Sequence, residues 1–483
     1  MSFASPSRGW PGIRSRQRQK GQALVYGIFV LVGGLAALFF LFNTGQLSRE
    51  KTKLVNTADA VAYSAGVMHA RALNFDAYTN RALVANEVLV AQMVSISSWA
   101  QYMGTHAQNF LTLFPGCASV YTSWVEALRV GEYAAMCVGL FYAYEYVADV
   151  MELVPDVTHG IVAIVEGNKR IILGAQSVLH GTLPFMRARV MDEVARANYA
   201  AVERGDVSVE PRIVAAPMLT NEWNGFTRQY ADDDRDRFAE VARLAAYSDD
   251  FVKARTWTSR GLVPESGGAC LARWRVSEVR RRGGTELIGF DEWKAEDTAS
   301  YHSWRSKGLS CRARSDVPIG WGEQQAHPAG ADQDESSARL GGSPSTNPRA
   351  HGRASSAAWE VYSGLPPFYE LSPAALAEED PRLRFAVRVT RDRTETVASE
   401  GRSAMPVTDR LNNYRSDMPR DLMAAVATSE AYFERPVAHR DNVHGAARGT
   451  PRELGSLFNP YWQVHLVESP TDVLRARLQQ AGF

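Results

Sequence analysis

Cysteine is scarce in this sequence, with four residues in 483, and no two of them form a CxxC pair. This spacing excludes a zinc ribbon and a thioredoxin-type redox motif, because both need closely paired cysteines. If the bulk of the chain lies outside the cytoplasm, two local disulfides are expected. We predict Cys117 with Cys137 and Cys270 with Cys311, and other pairings stay open because sequence alone does not fix connectivity.

An excess of charge of either sign is also missing, since 53 Lys and Arg residues balance 53 Asp and Glu residues. Without a basic bias, no nucleic-acid partner is expected. The sequence also contains no GxSxG nucleophile elbow, no HExxH zinc motif and no P-loop. These absences argue against an exported hydrolase tethered to a membrane, which would need a motif of this kind.

Two polar clusters resemble functional motifs, but their spacing does not fit. The run of acids from Asp232 has Arg237 and Arg243 where an EF-hand loop needs glycine and glutamate. Its acids are instead predicted to begin a helix, where they complement the positive end of the helix dipole. The stretch AHRDNVHGA contains HRD, but a kinase catalytic loop needs asparagine where Ala446 stands. The sequence therefore predicts no catalytic residue, no metal site and no cofactor.

The sequence does contain one long uncharged run, from Gly21 to Phe42. As a helix it is roughly 30 Å long, which matches the hydrocarbon thickness of a bilayer. A cleaved secretory signal would have a shorter apolar region. The other alternative, a buried core helix of a soluble protein, is disfavoured by the length of the run and by its flanking charges. Five basic residues and no acid precede the run, whereas both signs of charge follow it. This asymmetry predicts a cytoplasmic amino terminus and export of everything after Asn43.

A mostly apolar stripe follows the uncharged run. Residues spaced alternately by four and three, from Leu47 to Ile96, are apolar except for Lys51, Thr79 and Asn86. This is the spacing of a coiled-coil-like packing face. We therefore predict one continuous helix from the uncharged run to about residue 102.

Partner helices for this face are predicted within the same chain, over residues 119–153 and 161–199, which are rich in Ala, Val, Leu and Met. The apolar stretch 134–154 raises the question of a second membrane span. Acids lie in or beside it, including Glu145 and Asp149, and a charge near the centre of a spanning helix is costly. An amphipathic helix that packs on the first one is therefore favoured.

The remaining sequence divides by composition and predicts an α+β fold class. Short segments with Pro, Trp and Gly after Gly205 indicate strands and turns. Residues 323–358 are rich in Gly, Ser, Ala and Pro and are predicted to be a disordered insertion. Further on, RLRFAVRVT predicts a strand and Asp421–Tyr432 a helix. The predicted organisation is a tail at 1–20, a transmembrane helix at 21–43, a helical bundle at 44–204, an α+β region at 205–322, the insertion at 323–358 and a second α+β region at 359–483.

Two sequence blocks together resemble a known family. The first is the basic tail followed by GQALV from Gly21 and Gln22, and the second is VNTADAVAYSAGV after the apolar helix. In these features the chain resembles the TadE/TadG-like family of Flp, or tight adherence, pilus-assembly proteins. The residues of the second block that match the family's post-membrane pattern are Asn56, Ala58, Asp59 and Ala60.

The resemblance implies a single-pass protein of the bacterial inner membrane, with its bulk in the periplasm and no enzymatic activity. Its role would be that of an assembly factor or a minor pilin-like subunit. Its partners would be membrane lipid and other pilus-assembly proteins. It would also form a homo- or hetero-oligomer through the helical bundle. The resemblance also implies processing between Gly21 and Gln22, although Tyr26 stands where family pilins carry glutamate. The alternative is a membrane-anchored periplasmic ligand-binding or scaffold protein unrelated to pili.

Overall fold

A computed structural model gives the fold of the chain. It describes residues 22–109, 131–199, 207–209, 221–260, 277–307, 310–330, 343–392, 397–398, 401–402, 422–435, 454–468 and 470–474. The basic tail, Gly21, Cys117, Cys270 and the HRD stretch lie outside the described residues.

Long helices form the centre of the molecule. Helix α1 (Gln22–Gln108) confirms the predicted continuous helix and extends it past residue 102. Helices α2 (Gly131–Glu152) and α3 (Val154–Tyr199) follow each other almost without a break and return antiparallel along α1. Pro155 lies in the first turn of α3, where its missing N–H has no intrahelical partner to lose. The partners that the sequence predicted for α1 are therefore present in the same chain.

The other helices in the described residues are short. They are α4 (Trp223–Phe226), α5 (Asp236–Ala246), α6 (Asp250–Lys253), α7 (Ser343–Thr346), α8 (Pro348–His351) and α9 (Pro373–Leu376). Helix α5 confirms the helix predicted after the acidic run, with Asp236 in its first turn.

Strands follow the helices along the chain and confirm the α+β class. They are β1 (Val207–Val209), β2 (Thr227–Tyr230), β3 (Trp257–Arg260), β4 (Glu278–Ile288), β5 (Glu292–Lys307), β6 (Ser310–Ala326), β7 (Phe368–Leu371), β8 (Arg382–Asp392), β9 (Val397–Ala398), β10 (Gly401–Arg402), β11 (Leu422–Phe433) and β12 (Trp462–Val467). We call the antiparallel sheet β1-β8-β11-β12 sheet I and the antiparallel sheet β3-β4-β5-β6 sheet II. Two small pairs, β2 with β7 and β9 with β10, complete the described strands.

Both sheets pack directly on α1, at different heights. Sheet I covers the part of α1 between Leu47 and Ala65, and sheet II covers the part around Tyr102. The approach is close: a Cβ on Gly66 of α1 would lie 2.4 Å from Val464 Cγ2, and one on Gly322 of β6 would lie 2.2 Å from the Ser98 carbonyl oxygen. The helical and α+β parts of the chain therefore share their hydrophobic cores.

One predicted helix is wrong, because residues 422–433 form strand β11 rather than a helix. This segment is rich in alanine, which favours helices in isolation. Here Ala424 and Ala427 are buried against α1 in one cluster with Ala58 and Ala62. Small side chains on both elements allow the strand and the helix to approach, and tertiary packing outweighs the local propensity.

The segment predicted as a disordered insertion has structure at both ends. Residues up to Ala326 belong to β6, and α7 and α8 follow residue 342. Asn347 is fully buried, donates to the Arg280 carbonyl at 3.0 Å and pairs with His302 at 3.0 Å. Order in this part comes from hydrogen bonds to the sheet, which a composition poor in large apolar residues does not reveal. Residues 331–342 lie outside the described residues.

Candidate functional site: the anchor segment and the helix pair

The first twenty residues of α1 present apolar side chains to the outside on every face. Leu24 is 71% exposed and Phe29 is 74% exposed. An 18-residue stretch of this helix has a mean hydropathy of 2.5 and no buried share, and in the described residues this is the one helix long and apolar enough to cross a membrane. Exposed apolar surface of this extent is costly in water and favourable in lipid.

Charged residues directly after this segment hold α1 to the folded body. Glu50 forms an ion pair with Arg391 of β8 at 3.1 Å, and Lys51 donates to the Ala424 carbonyl of β11. Burial lowers the pKa of Lys51 to about 8. Lys53 lies 4.3 Å from the centre of the Tyr199 ring at the end of α3. The charged residues that follow the apolar segment on α1 therefore contact the folded body and connect the segment to it.

The four predicted residues of the post-membrane block follow one turn later on α1. Ala58 is fully buried against sheet I, whereas Asn56 is exposed and Asp59 and Ala60 are half-buried. Burial raises the pKa of the Asp59 carboxyl. The block thus supplies one small buried residue that lets the sheet approach the helix.

Polar side chains pair across the interface between α1 and α3, and we call these pairs the polar ladder. Its pairs are His69 with Arg187, Asp76 with His180, Asn80 with Gln176 and Glu87 with Lys169, at 2.7, 2.9, 3.0 and 2.8 Å. The positions on α1 are separated by seven, four and seven residues, and those on α3 by the same intervals in the opposite direction. Leu73 and Leu183 are fully buried between the first two pairs. The ladder fixes the antiparallel register of the two helices.

The Glu87 pair is the most extensive part of the ladder. Lys169 Nζ lies 2.8 Å from Glu87 Oε1, 2.7 Å from Glu166 Oε1 and 2.8 Å from the Gly364 carbonyl oxygen. Glu87 Oε2 accepts hydrogen bonds from Trp293 Nε1 at 3.1 Å and from the Tyr362 hydroxyl at 2.8 Å. One ammonium group thus ties α1, α3 and the loop before β7 together, with two carboxylates that are themselves hydrogen-bonded.

The Asp76 pair, on the far side of the Asn80 pair from Glu87, contains a buried carboxyl group. Burial raises the pKa of Asp76, although the hydrogen bond from His180 opposes this rise. His180 stacks on Tyr369 of β7 with ring centres 3.6 Å apart. The pair therefore connects both helices to the strand that follows the Gly364 loop.

His69 at the other end of the ladder is neutral by its surroundings. It is fully buried and stacks on Trp223, with ring centres 5.4 Å apart. Its Nε2 accepts a hydrogen bond from Arg187. Burial, with the positive charge of Arg187 as the second cause, lowers the pKa of His69 to about 3.

The pKa of His69 predicts a loss of stability in acid. The pKa of His69 is 6.5 in the unfolded chain and about 3 in the folded protein. Between these two pH values the unfolded state therefore binds more protons. Its contribution is complete above pH 6.5, and we expect about 3 kcal/mol of it to be lost by pH 4. The measurement is the free energy of unfolding of the full chain in detergent across this range. His69→Gln should show a shallower dependence on pH, and equal slopes for both proteins would contradict the prediction.

The ladder residues were not predicted from the sequence, because the predicted packing face of α1 consists mostly of apolar positions. The available signal was the matching spacing of polar residues in two predicted helices. Polar residues at coiled-coil core positions are typical of helix pairs whose register must be specified.

Of the four cysteines in the predicted disulfides, Cys137 is the one whose side chain the structure describes, and the side chains of Cys117, Cys270 and Cys311 lie outside the description. Cys137 is buried and disulfide-bonded, but its partner lies among the side chains that are not described. Both pairings therefore stay predictions. Within the described ranges, no group of three or more His, Cys, Asp or Glu side chains is placed to hold a metal ion.

A protein-family model matches the amino-terminal part of the chain. No curated protein and no solved structure matches the chain. Residues 21–72 match the family model described as a putative Flp pilus-assembly TadE/G-like domain. This range contains the exposed apolar segment, the contacts of Glu50 and Lys51, and the small residues on which sheet I packs. This match confirms the resemblance seen in the sequence: residues 21–72 are similar to the TadE/G-like domain of Flp pilus-assembly proteins.

Proposed function

We propose that this protein is a non-enzymatic component of Flp/Tad pilus assembly, anchored in the inner membrane by the first part of α1. The amino terminus is cytoplasmic, and the body from residue 44 onward is periplasmic. The protein works with other pilus-assembly proteins as an assembly factor rather than as a fibre subunit.

The family match of residues 21–72 supports the link to pilus assembly, and the observation that carries the anchored role is the continuity of α1. The same helix begins as an exposed apolar segment, continues under sheet I and ends under sheet II, without a break. A continuous helix transmits position rigidly over its length, on the order of 130 Å for α1. A body held in this way keeps a fixed height and orientation relative to the membrane, as a scaffold for assembly requires.

The chemistry of the buried polar groups supports a structural role over a catalytic one. Glu87, Lys169 and Glu166 are each buried and bonded to groups of other elements. Catalytic groups instead face a cleft that a substrate can enter. The polar residues at the centre of the molecule thus connect helices and strands to one another.

Deleting the gene in the native host tests the proposed role. Surface Flp pili, counted by electron microscopy and by immunoblotting of sheared pilin, are expected to be lost and to return with the wild-type gene. Leu31→Arg/Leu35→Arg should not restore them, because each charge costs about 3 kcal/mol in the centre of a spanning helix. Leu244→Arg, at an exposed site on α5, is the control and should restore them. Normal pili in the deletion strain would contradict the proposal.

The mature amino terminus distinguishes the anchor from a fibre subunit. An anchored assembly factor should retain the residues before Gly21, whereas a processed pilin-like subunit would begin at Gln22. Amino-terminal sequencing or mass spectrometry of the purified protein measures this, and a mature terminus at Gln22 would exclude the assembly-factor role.

A further inference from the structure

An apolar stripe runs along the face of α3 that points away from α1, and we call it the outer stripe. Val157, Ile164, Ile171, Val178 and Phe185 recur every seven residues and are between 63% and 78% exposed. The stripe continues through Leu153, which lies between the two helices, to Tyr146 and Tyr142 of α2, and all three are exposed to a similar extent. Aliphatic and aromatic side chains at this spacing and exposure are typical of a helix that packs on another helix.

Glycines alternate with these side chains along the same stripe. Gly160, Gly167, Gly174 and Gly181 also recur every seven residues, and nothing lies within 4 Å of a Cβ placed on any of them. Glycine inside a helix is destabilising relative to alanine, and no contact within the described part of this chain accounts for these four. An approaching helix would use the space, because glycine lets two helix backbones come close.

The outer stripe lies too far from the proposed membrane for lipid to cover it. Its lower end, at Phe185, lies beside the Arg187 and His69 pair of the ladder. His69 is about 40 Å along α1 from Asn43, where the apolar segment ends. The outer stripe is therefore well above the lipid, in a region where its occupant is a protein surface.

A second copy of this chain fits the outer stripe by charge and by area. Arg170 is the one charged residue exposed on α3 between Val157 and Phe185, so two identical stripes meet no row of like charges. From Tyr142 to Phe185 the stripe is about 65 Å long, and a helix is about 10 Å wide. Two such strips give roughly 1,300 Å² of contact, which is within the range of stable protein interfaces.

The shared membrane anchor determines the relative orientation of the two copies. Copies anchored in one membrane through α1 have parallel α3 helices, so each glycine of the stripe faces the same glycine of the partner. The β-branched residues that alternate with these glycines are of the kind found at one core position of two-stranded parallel coiled coils. We infer that the protein is a parallel homodimer whose contact is the outer stripe of α3, with close packing at the four glycines. The parallel orientation rests on the proposed membrane anchor, whereas dimerisation through this face does not depend on a role in pili.

Measuring the mass of the full chain in detergent tests the dimer. The wild-type protein is expected to contain two chains per particle by sedimentation or light scattering. Ile171→Asp is expected to contain one, because it places a charge at the centre of the stripe. Leu244→Asp is the matched control, since Leu244 is also exposed, at 65%, but lies on α5, and it should contain two chains. A wild-type monomer, or an Ile171→Asp protein that stays dimeric, would overturn the inference.

Disulfide formation between copies tests the parallel arrangement. Gly160→Cys and Gly181→Cys, made separately, should each give a covalent dimer on non-reducing gels, because each new cysteine faces its own counterpart. Leu244→Cys should not. An antiparallel pair would crosslink at neither glycine, and that result would overturn the parallel arrangement. Both measurements use purified protein, so they are independent of whether deletion of the gene removes pili.

Discussion

Lys169→Met is expected to lower the free energy of unfolding by about 3–5 kcal/mol, the range for removing one partner of a buried ion pair. Lys169 contacts Glu87 and Glu166 at 2.8 and 2.7 Å, and all three side chains are almost completely buried. Without the ammonium group, two carboxylates lie close together in a site from which water is excluded. Desolvation and mutual repulsion then both oppose folding.

The hydrogen bonds around Glu87 do not offset this loss. The Trp293 and Tyr362 donors are neutral groups that both bond to Glu87. They stabilise its carboxylate but do not cancel its repulsion from the carboxylate of Glu166. Lys169→Met/Glu166→Gln should therefore recover part of the lost stability, because it removes one of the two negative charges. The same recovery is not expected if Lys169 contributes only through its aliphatic chain.

Arg189→Met is the matched control for Lys169→Met. Arg189 also pairs with a carboxylate on α3, that of Glu193 at 2.7 Å, but both side chains are exposed. Solvent screens exposed pairs, which contribute little to stability, so this variant should unfold close to the wild type. The measurement is chemical unfolding of the full chain in detergent, followed by tryptophan fluorescence. If both variants lost similar amounts of unfolding free energy, the prediction that burial makes the Lys169 pair more important would be wrong.

The packing face of α1 could be predicted over its first half only. The predicted stripe is buried from Leu47 to Ala72, except for Lys51 and Met68, which are half-buried. Further along, its members Phe75 and Ala82 are exposed, and the buried face has moved by about one residue. A strict repeat of 3.5 residues drifts by about 20° per heptad on a helix with 3.6 residues per turn. The residues that form the buried face from there on include the polar ladder, which an apolar periodicity does not predict.

The helix–sheet arrangement was beyond the sequence pattern for a different reason. The composition predicted the α+β class and the strand at β8, because alternating β-branched residues give a local signal. It did not predict that α1 would be the core of both sheets, because contacts between residues 58 and 424, or 98 and 322, join distant parts of the chain. Such contacts depend on which small residues face each other, and no local periodicity records this.

Replacing Gly322 with valine is expected to detach sheet II from the end of α1. A Cβ at this position would lie 2.2 Å from the Ser98 carbonyl oxygen and 2.5 Å from the Tyr102 nitrogen. Both are backbone atoms of a helix, so neither can move away as a flexible side chain would. Overpacking usually costs about 1–3 kcal/mol, and we expect a value at the upper end because the Ser98 hydroxyl also bonds to Asp297 at 2.9 Å and to the Gly322 carbonyl at 3.2 Å.

Limited proteolysis and unfolding of the full chain together measure this effect. Separation of β6 from α1 should expose the end of α1 to protease, while the contacts of sheet I near Ala58 stay intact. Gly225→Ala is the control, because nothing lies within 4 Å of a Cβ there, and it should leave both measurements unchanged. A Gly322→Val protein as stable and as protease-resistant as the wild type would show that β6 can shift without loss. In that case the close approach of strand and helix would not be what holds sheet II on α1.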